Sequence, residues 1–318
     1  MESYTFELEG NVFGFFQRNE NDCLLYIDNG MFSEVQKYNW SLWKKGEDNY
    51  HEKYPDTVDR EETARAIGYF SWRQIYDYCK YQPRVINIKE KSEAGLYYPR
   101  MNKGEPKLHH QQINGSQVLD EVRSYGNICT SLTELFNYID PDERNLNCFG
   151  SKAREILIIA CTEVEYLLQS FLVENNYQAN KGRFSTKDYV KCLDFLKLNE
   201  YSVELVFYPS LKDWSPFRDW SKSQATNSLH WYDAYNSVKH NRGANKQKAT
   251  LESVVNSVAA IHIILVAQYG YEIFDSPLQS NFSSIFKTIK YPNFSTTELQ
   301  CPLMDNEKIL WTKKGYLF

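Results

Sequence analysis

Residues 249–270 read ATLESVVNSVAAIHIILVAQYG. From Leu251 onward the apolar side chains recur at every angle around a helix, so no polar face is left for water. Asn256, Ser257 and His262 interrupt the run, which also falls short of the ~20 apolar residues needed to cross a bilayer. This pattern predicts a helix at the centre of a bundle, and it requires other helices to surround it.

Such partners precede it. LDEVRSYGNICTSLTELFNYI (119–139) carries apolar positions at helical spacing and is closed by Asp140-Pro141. SKAREILIIACTEVEYLLQSFLVENN (151–176) predicts a long helix entered from Gly150-Ser151. STKDYVKCLDFLKLNEY (185–201) predicts a further amphipathic helix with Ser185 as its N-cap, and residues 203–229 are irregular, with Pro209 and Pro216. The N-terminal third differs. YTFELEG alternates apolar and polar residues, VFGFF follows, and CLLYID comes after the polar break RNEND, which predicts strand, turn, strand. RVINIKE (84–90) is a further strand. PDTVDREETARAIGYFSWRQIYDYCK (55–80) predicts a helix capped at Thr57. NKGEPKLHHQQINGSQ (102–117) has no apolar rhythm and is expected to be a linker. Together these predict an α+β protein: an N-terminal mixed, strand-containing domain over 1–118, an all-α helical bundle over 119–270, and a C-terminal extension over 271–318. The ending LWTKKGYLF is expected to be a small strand pair or an extended tail.

Composition narrows the functional classes. The chain has 318 residues, 42% hydrophobic and 24% charged, which is an ordinary globular balance. Its formal net charge is −5, so any nucleic-acid footprint must be local. The seven cysteines are scattered and no two stand as CxxC, which supports neither a zinc site nor a disulfide framework and suits reduced thiols in a cytoplasmic protein. MESYTFELEG lacks a basic start followed by an apolar run, so no signal peptide is expected. No Gly-rich phosphate loop is present, and no cofactor is implied.

One short stretch concentrates chemistry. Residues 231–243 read WYDAYNSVKHNRG. On a helix, Asn236 and His240 are four apart and share a face, Tyr232 lies one turn earlier, and Lys239 flanks the same edge. Gly243 is the expected C′ residue ending that helix. Between Lys239 and Lys248 stand Lys239, Arg242, Lys246 and Lys248 with no acid, a compact positive patch on an acidic chain. These groups suit phosphodiester cleavage without a metal. An imidazole at His240 can take a proton from a ribose 2′-hydroxyl or return one to the leaving oxygen. Arg242, Lys239 and Lys246 can hold phosphate, Asn236 can orient the ring, and Tyr232 and Tyr235 can stack a base. Glu163, embedded in the apolar run REILIIACTEVE, is expected to face the bundle, where a carboxylate needs a cation; Lys239, His240 or Arg242 are the candidates. The alternative explanation is structural: basic residues in a last helical turn favour the helix dipole, and Glu163 belongs to an internal ion pair.

YNSVKHNR followed by a long apolar helix, and preceded by REILIIACTEVE, resembles the HEPN domains of bacterial toxin, phage-defence and CRISPR-associated ribonucleases, and is similar to a group of bacterial proteins of unassigned function. The resemblance covers roughly residues 120–270. Asn236 matches the family's polar position and His240 its histidine. The arginine position is occupied by Tyr235, and Arg242 follows the histidine instead. The resemblance implies a helical bundle, a homodimer with two motifs across a shared cleft, and metal-independent RNA cleavage, or else a non-catalytic module that binds RNA or a nucleotide. A third possibility, a metal-dependent enzyme using His109 and His110, lacks an accompanying carboxylate or cysteine at ligand spacing. No membrane partner is expected.

Overall fold

In the computed structural model of the chain, the described residues are 1–10, 12–27, 35–53, 62–75, 83–104, 115–274, 284–305 and 308–318. They form an α+β architecture that divides into two compact units, the first of residues 1–97, 104–107 and 294–315, the second of residues 98–103, 108–293 and 316–318. This division differs from the expected 1–118, 119–270 and 271–318. Residues 271–318 do not stand apart as an extension, because their strands complete both units.

The first unit is built on an antiparallel five-stranded sheet. Its strands are β1 (Glu2–Leu8), β2 (Val12–Arg18), β3 (Asp22–Ile27), β4 (Gln36–Asn39) and β5 (Val85–Glu90), in the order β4-β3-β2-β1-β5. The alternation in YTFELEG sends Tyr4, Phe6 and Leu8 to one face. There they join Phe16, Leu25 and Ile27 under Trp40 of α1 (Trp40–Lys53) and Ala66, Ile67 and Phe70 of α2 (Glu62–Ile75). Of the helix expected over 55–80, Thr57 and both flanks lie outside the described residues. Neither β4 nor α1 is evident in QKYNWSLWKKGED, whose aromatics suit either state.

The opposite sheet face is also covered, by residues of the C-terminal stretch. Phe15, Leu24, Tyr26 and Val35 pack with Cys301 and Met304. Buried polar groups on that face find their partners there. Thr5 Oγ1 donates to the Thr296 carbonyl (2.7 Å), Gln17 Nε2 to the Pro302 carbonyl (2.9 Å), and the Met304 amide to Gln17 Oε1 (2.8 Å). Short strands continue the stretch: β9 (Leu303–Asp305) pairs with β10 (Lys308–Leu310), and β11 (Lys313–Lys314) runs parallel to β6 (Leu96–Tyr97). Within the sheet, Gly14 lets Phe6 cross β2: a Cβ there would overlap Phe6 Cζ and the Tyr26 carbonyl oxygen. Gly14→Ala is therefore expected to destabilise this unit by about 1–3 kcal/mol, read as a lowered urea midpoint, because the neighbouring backbone cannot yield cheaply.

The second unit is the bundle. Its helices are α3 (Ser116–Phe136), α4 (Ser151–Glu174), α5 (Thr186–Tyr189), α6 (Cys192–Leu196), α7 (His230–His240), α8 (Arg242–Asn245) and α9 (Leu251–Tyr269). As ATLESVVNSVAAIHIILVAQYG predicts, α9 is buried on all sides, with 83% of its most apolar stretch inside the protein, as a core helix requires. The bundle is not all helical. β7 (Ser202–Leu205) and β8 (Phe286–Lys290) pair antiparallel and pack against α9. The segment 185–201 is not one helix either. Ser185 and Asp188 form a capping box, but α5 stops after Tyr189 and α6 stops at Lys197, whose φ of 47° is left-handed. Tyr189, Val190, Cys192, Leu193, Leu196 and Leu198 are all buried, which a single helix cannot achieve with one face.

Three polar side chains on α9 must be satisfied inside the core. Ser257 Oγ donates to the Val254 carbonyl (2.7 Å). Gln268 Oε1 accepts from Arg100 Nη1 (2.8 Å) while its Nε2 donates to the Leu167 carbonyl (3.1 Å). Arg100 is itself buried and left-handed (φ 55°), and it pairs with Glu121 of α3 (2.5 Å) and Glu174 of α4 (2.5 Å). Tyr269 donates to the other Glu121 oxygen (2.8 Å). One guanidinium thus joins the strap 98–103 to three helices with its donors matched, the condition under which a buried charge is tolerated.

The third, His262, lies between Ser284 (Nδ1 to Oγ, 2.9 Å) and Thr288 (Nε2 to Oγ1, 3.0 Å), stacked on Phe274 at 4.7 Å. Burial pushes its imidazole down to about 3 and raises the adjacent Tyr125 and Cys129, so the cluster is uncharged. The unfolded imidazole protonates near 6.5. Stability from this site is therefore complete above about pH 6.5 and is lost as pH falls towards 3. Urea unfolding at successive pH values should show the wild-type stability declining across that window. The slope for His262→Gln should be shallower by up to about 1.4 kcal/mol per pH unit, one proton's worth.

Candidate functional site

α7 turns Trp231, Tyr232, Ala234, Tyr235 and Val238 to the core, the spacing of an inward helix face. Trp231 Nε1 donates to the Pro216 carbonyl (2.9 Å), and its ring meets Phe217 and Tyr232 edge-on. Tyr232 and Tyr235 are only 6% and 0% exposed, so neither offers a ring to a base, which corrects the stacking role expected for them. Instead Tyr232 OH donates to Glu165 Oε1 (2.5 Å), and Lys239 Nζ donates to Tyr235 OH (2.6 Å). Burial, then the carboxylate, holds the Tyr232 phenol well above its ordinary range. The hydrogen bond to the Tyr235 hydroxyl raises Lys239, so its ammonium stays cationic.

Glu163 does not join this group. It is two residues from Glu165, about 200° around the helix, and faces α3, where Ser124 Oγ donates to it (3.0 Å). Burial raises its carboxyl above the usual range. Among the described residues none of the cations expected beside Glu163 pairs with it, and Glu165 is the carboxylate that meets α7. The signal for this lay in the spacing of Cys161, Glu165 and Leu168, which share one helix face.

α7 ends at Asn241 rather than at Gly243. Asn241 leaves the helical region (φ −142°, ψ 76°), and its side chain accepts from the Ala244 amide (3.3 Å), so it caps α8. Gly243 falls inside α8. Asparagine competes successfully for the junction because its side chain can replace the backbone acceptor that a continuing helix would use. The consequence is that Arg242 starts a new turn beyond His240. His240, Lys239, Arg242 and Lys246 are all exposed, Asn236 is half-buried, and Lys248 is held by Ser237 Oγ (2.9 Å) near Asp233 (3.4 Å). Among the described residues no side chain hydrogen-bonds Asn236 or the His240 imidazole. Lys239, His240, Arg242, Lys246 and Lys248 are thus all exposed within one short stretch of chain.

Elsewhere, His109 and His110 lie outside the described residues. Among the described residues no three His, Cys, Asp or Glu side chains gather as a metal site would require. The first unit carries a cleft of about 700 Å³ that no sequence motif pointed to, lined by Arg18, Trp40, Lys44 and Glu62 among others. Arg18 lies 4.5 Å over the Trp40 ring, yet it is paired to Glu2 (2.6 Å), and Lys44 to Glu62 (3.0 Å). No family model, curated protein or solved structure matches the chain.

The two halves of α7 should separate in mutants. Tyr232→Phe leaves a half-buried Glu165 carboxylate without its donor and should cost about 1–3 kcal/mol in urea unfolding. His240→Ala touches an exposed side chain and should stay within about 0.5 kcal/mol of the parent.

Proposed function

We propose that the α7–α8 edge binds single-stranded RNA through its phosphates, in a HEPN-like, metal-independent RNA-directed protein. The observation that carries this is the exposed run from Lys239 to Lys248, cationic on a chain whose net charge is −5. Repulsion from the rest of the surface makes such a patch the place where a polyanion makes contact. Lys239 is exposed as a residue, with its Nζ anchored on the hydroxyl of the buried Tyr235. Arg242 and Lys246 follow, both exposed, in the next turns of the chain.

The second reading is cleavage at the same edge. Exposure of the His240 imidazole beside Lys239 and Arg242 favours it: the ring can reach a ribose 2′-hydroxyl as general base while a cation holds the phosphate. Binding is preferred because Glu163 and the two tyrosines do not contribute, and Tyr235 replaces the arginine of the family motif.

The test is binding and cleavage of an end-labelled single-stranded RNA in EDTA. Binding should weaken steeply with salt. Arg242→Ala/Lys246→Ala should lower the log–log salt slope by roughly 1.4, about 0.7 for each phosphate no longer neutralised. Cleavage abolished by His240→Ala establishes the second reading. No binding at low salt, or binding indifferent to both substitutions, overturns the assignment of this edge.

A further inference from the structure

The loop that enters α4 carries a half-exposed aromatic ring. Phe149 is 49% exposed and meets no other ring among the described residues. Its backbone is nonetheless fixed to the start of α9. Phe149 and Thr250 form an isolated antiparallel bridge. The Leu251 amide donates to the Cys148 carbonyl (2.8 Å) and the Glu252 amide to the Leu146 carbonyl (3.0 Å). The Thr250 amide in turn donates to the Lys248 carbonyl (2.9 Å). Bridged residues stand about 5 Å apart and two further residues span at most about 7 Å, so the Cα atoms of Phe149 and Lys248 lie within about 12 Å. The fold thus sets an exposed ring from a distant part of the chain beside the end of the cationic run. Tyr138 and Phe207 are more exposed still, at 87% and 80%, yet among the described residues neither is bonded through its backbone to residues 239–252.

We propose that Phe149 is the base-stacking ring of this edge: one unpaired base lies on its exposed face while the neighbouring cations hold the adjoining phosphates. The role rests on RNA binding at the α7–α8 edge and adds to it a class of substrate. Phosphate contacts alone accept any polyanion, whereas a ring needs a base that is free to leave its neighbours, which a duplex does not offer. Tyr232 and Tyr235 are buried, so α7 supplies no ring of its own. Phenylalanine has no polar side-chain atom and reads no base identity, so stacking on it tolerates every sequence. The backbone links to Thr250, Leu251 and Glu252 hold the ring's loop in place beforehand, which lowers the ordering that binding must impose.

Fluorescence anisotropy of a short labelled single-stranded RNA, set against an abasic strand of equal length and charge, tests it. Phe149→Ala should weaken RNA binding between about fivefold and 150-fold, with unchanged circular dichroism. The log–log salt slope should stay as it is, because a stacked base and no phosphate contact is lost. Phe149→Leu keeps apolar bulk without a ring face and should lose nearly as much, while Phe149→Tyr should bind like the parent. The abasic strand should bind the parent weakly and Phe149→Ala no worse. Phe207→Ala removes a ring without the backbone link and should leave RNA binding unchanged. Affinity kept by Phe149→Ala or Phe149→Leu, an equal loss in Phe207→Ala, or an equal loss on the abasic strand overturns the ring's role and leaves the cationic edge standing. A parent protein that binds no RNA at low salt overturns both.

Discussion

A helix with no solvent face has to be enclosed, and α9 imposes that requirement on the second unit. Burying it from Leu251 to Tyr269 calls for α4 along one side, α7 and α3 along others, and the β7–β8 ribbon where no helix is available. The favourable term is large, since each fully buried aliphatic side chain is worth about 1.5–3 kcal/mol relative to exposure. It carries a condition: from Ser257 onward every polar atom on α9 must be paired, because that part of the helix is buried throughout. Ser257, His262 and Gln268 meet that condition with a backbone carbonyl, two hydroxyl groups and an arginine respectively.

The same condition explains the strap at 98–103. Arg100 satisfies Gln268 from outside the helices, and Glu121, Glu174 and Tyr269 then satisfy Arg100. Removing one member would strand a buried charge, which costs more than the pair contributes. The charged groups on the inward faces are satisfied internally: Arg100, Glu121, Glu163 and Glu165 all face other side chains. What remains exposed beyond α7 is cationic, and that excess of positive charge makes the end of the helix a surface for an anion.

α7 serves both purposes because its two faces are used differently. Its aromatics stabilise the bundle, and Lys239, His240 and the turns beyond them meet solvent. Asn241 is the pivot. By ending α7 one residue after His240 and capping α8, it starts Arg242 in a new turn.

Much of this was legible in the chain alone. Helical spacing marks α3, an apolar run with no polar face marks α9, alternation marks β1, and the charge run 239–248 marks the exposed edge, because these patterns record which side of an element meets water. Sequence could not say which neighbour each side meets. Tyr232 and Tyr235 read equally as base-stacking rings or as core, Glu163 and Glu165 are both carboxylates in an apolar helix, and the strands near the C-terminus look like an extension. Burial of Thr5 and Gln17 against residues 296–304, and the turn of Glu165 towards Tyr232, depend on contacts between residues far apart in sequence. Such contacts are settled by three-dimensional packing and by the need to pair every buried polar atom, and local patterning carries no record of either.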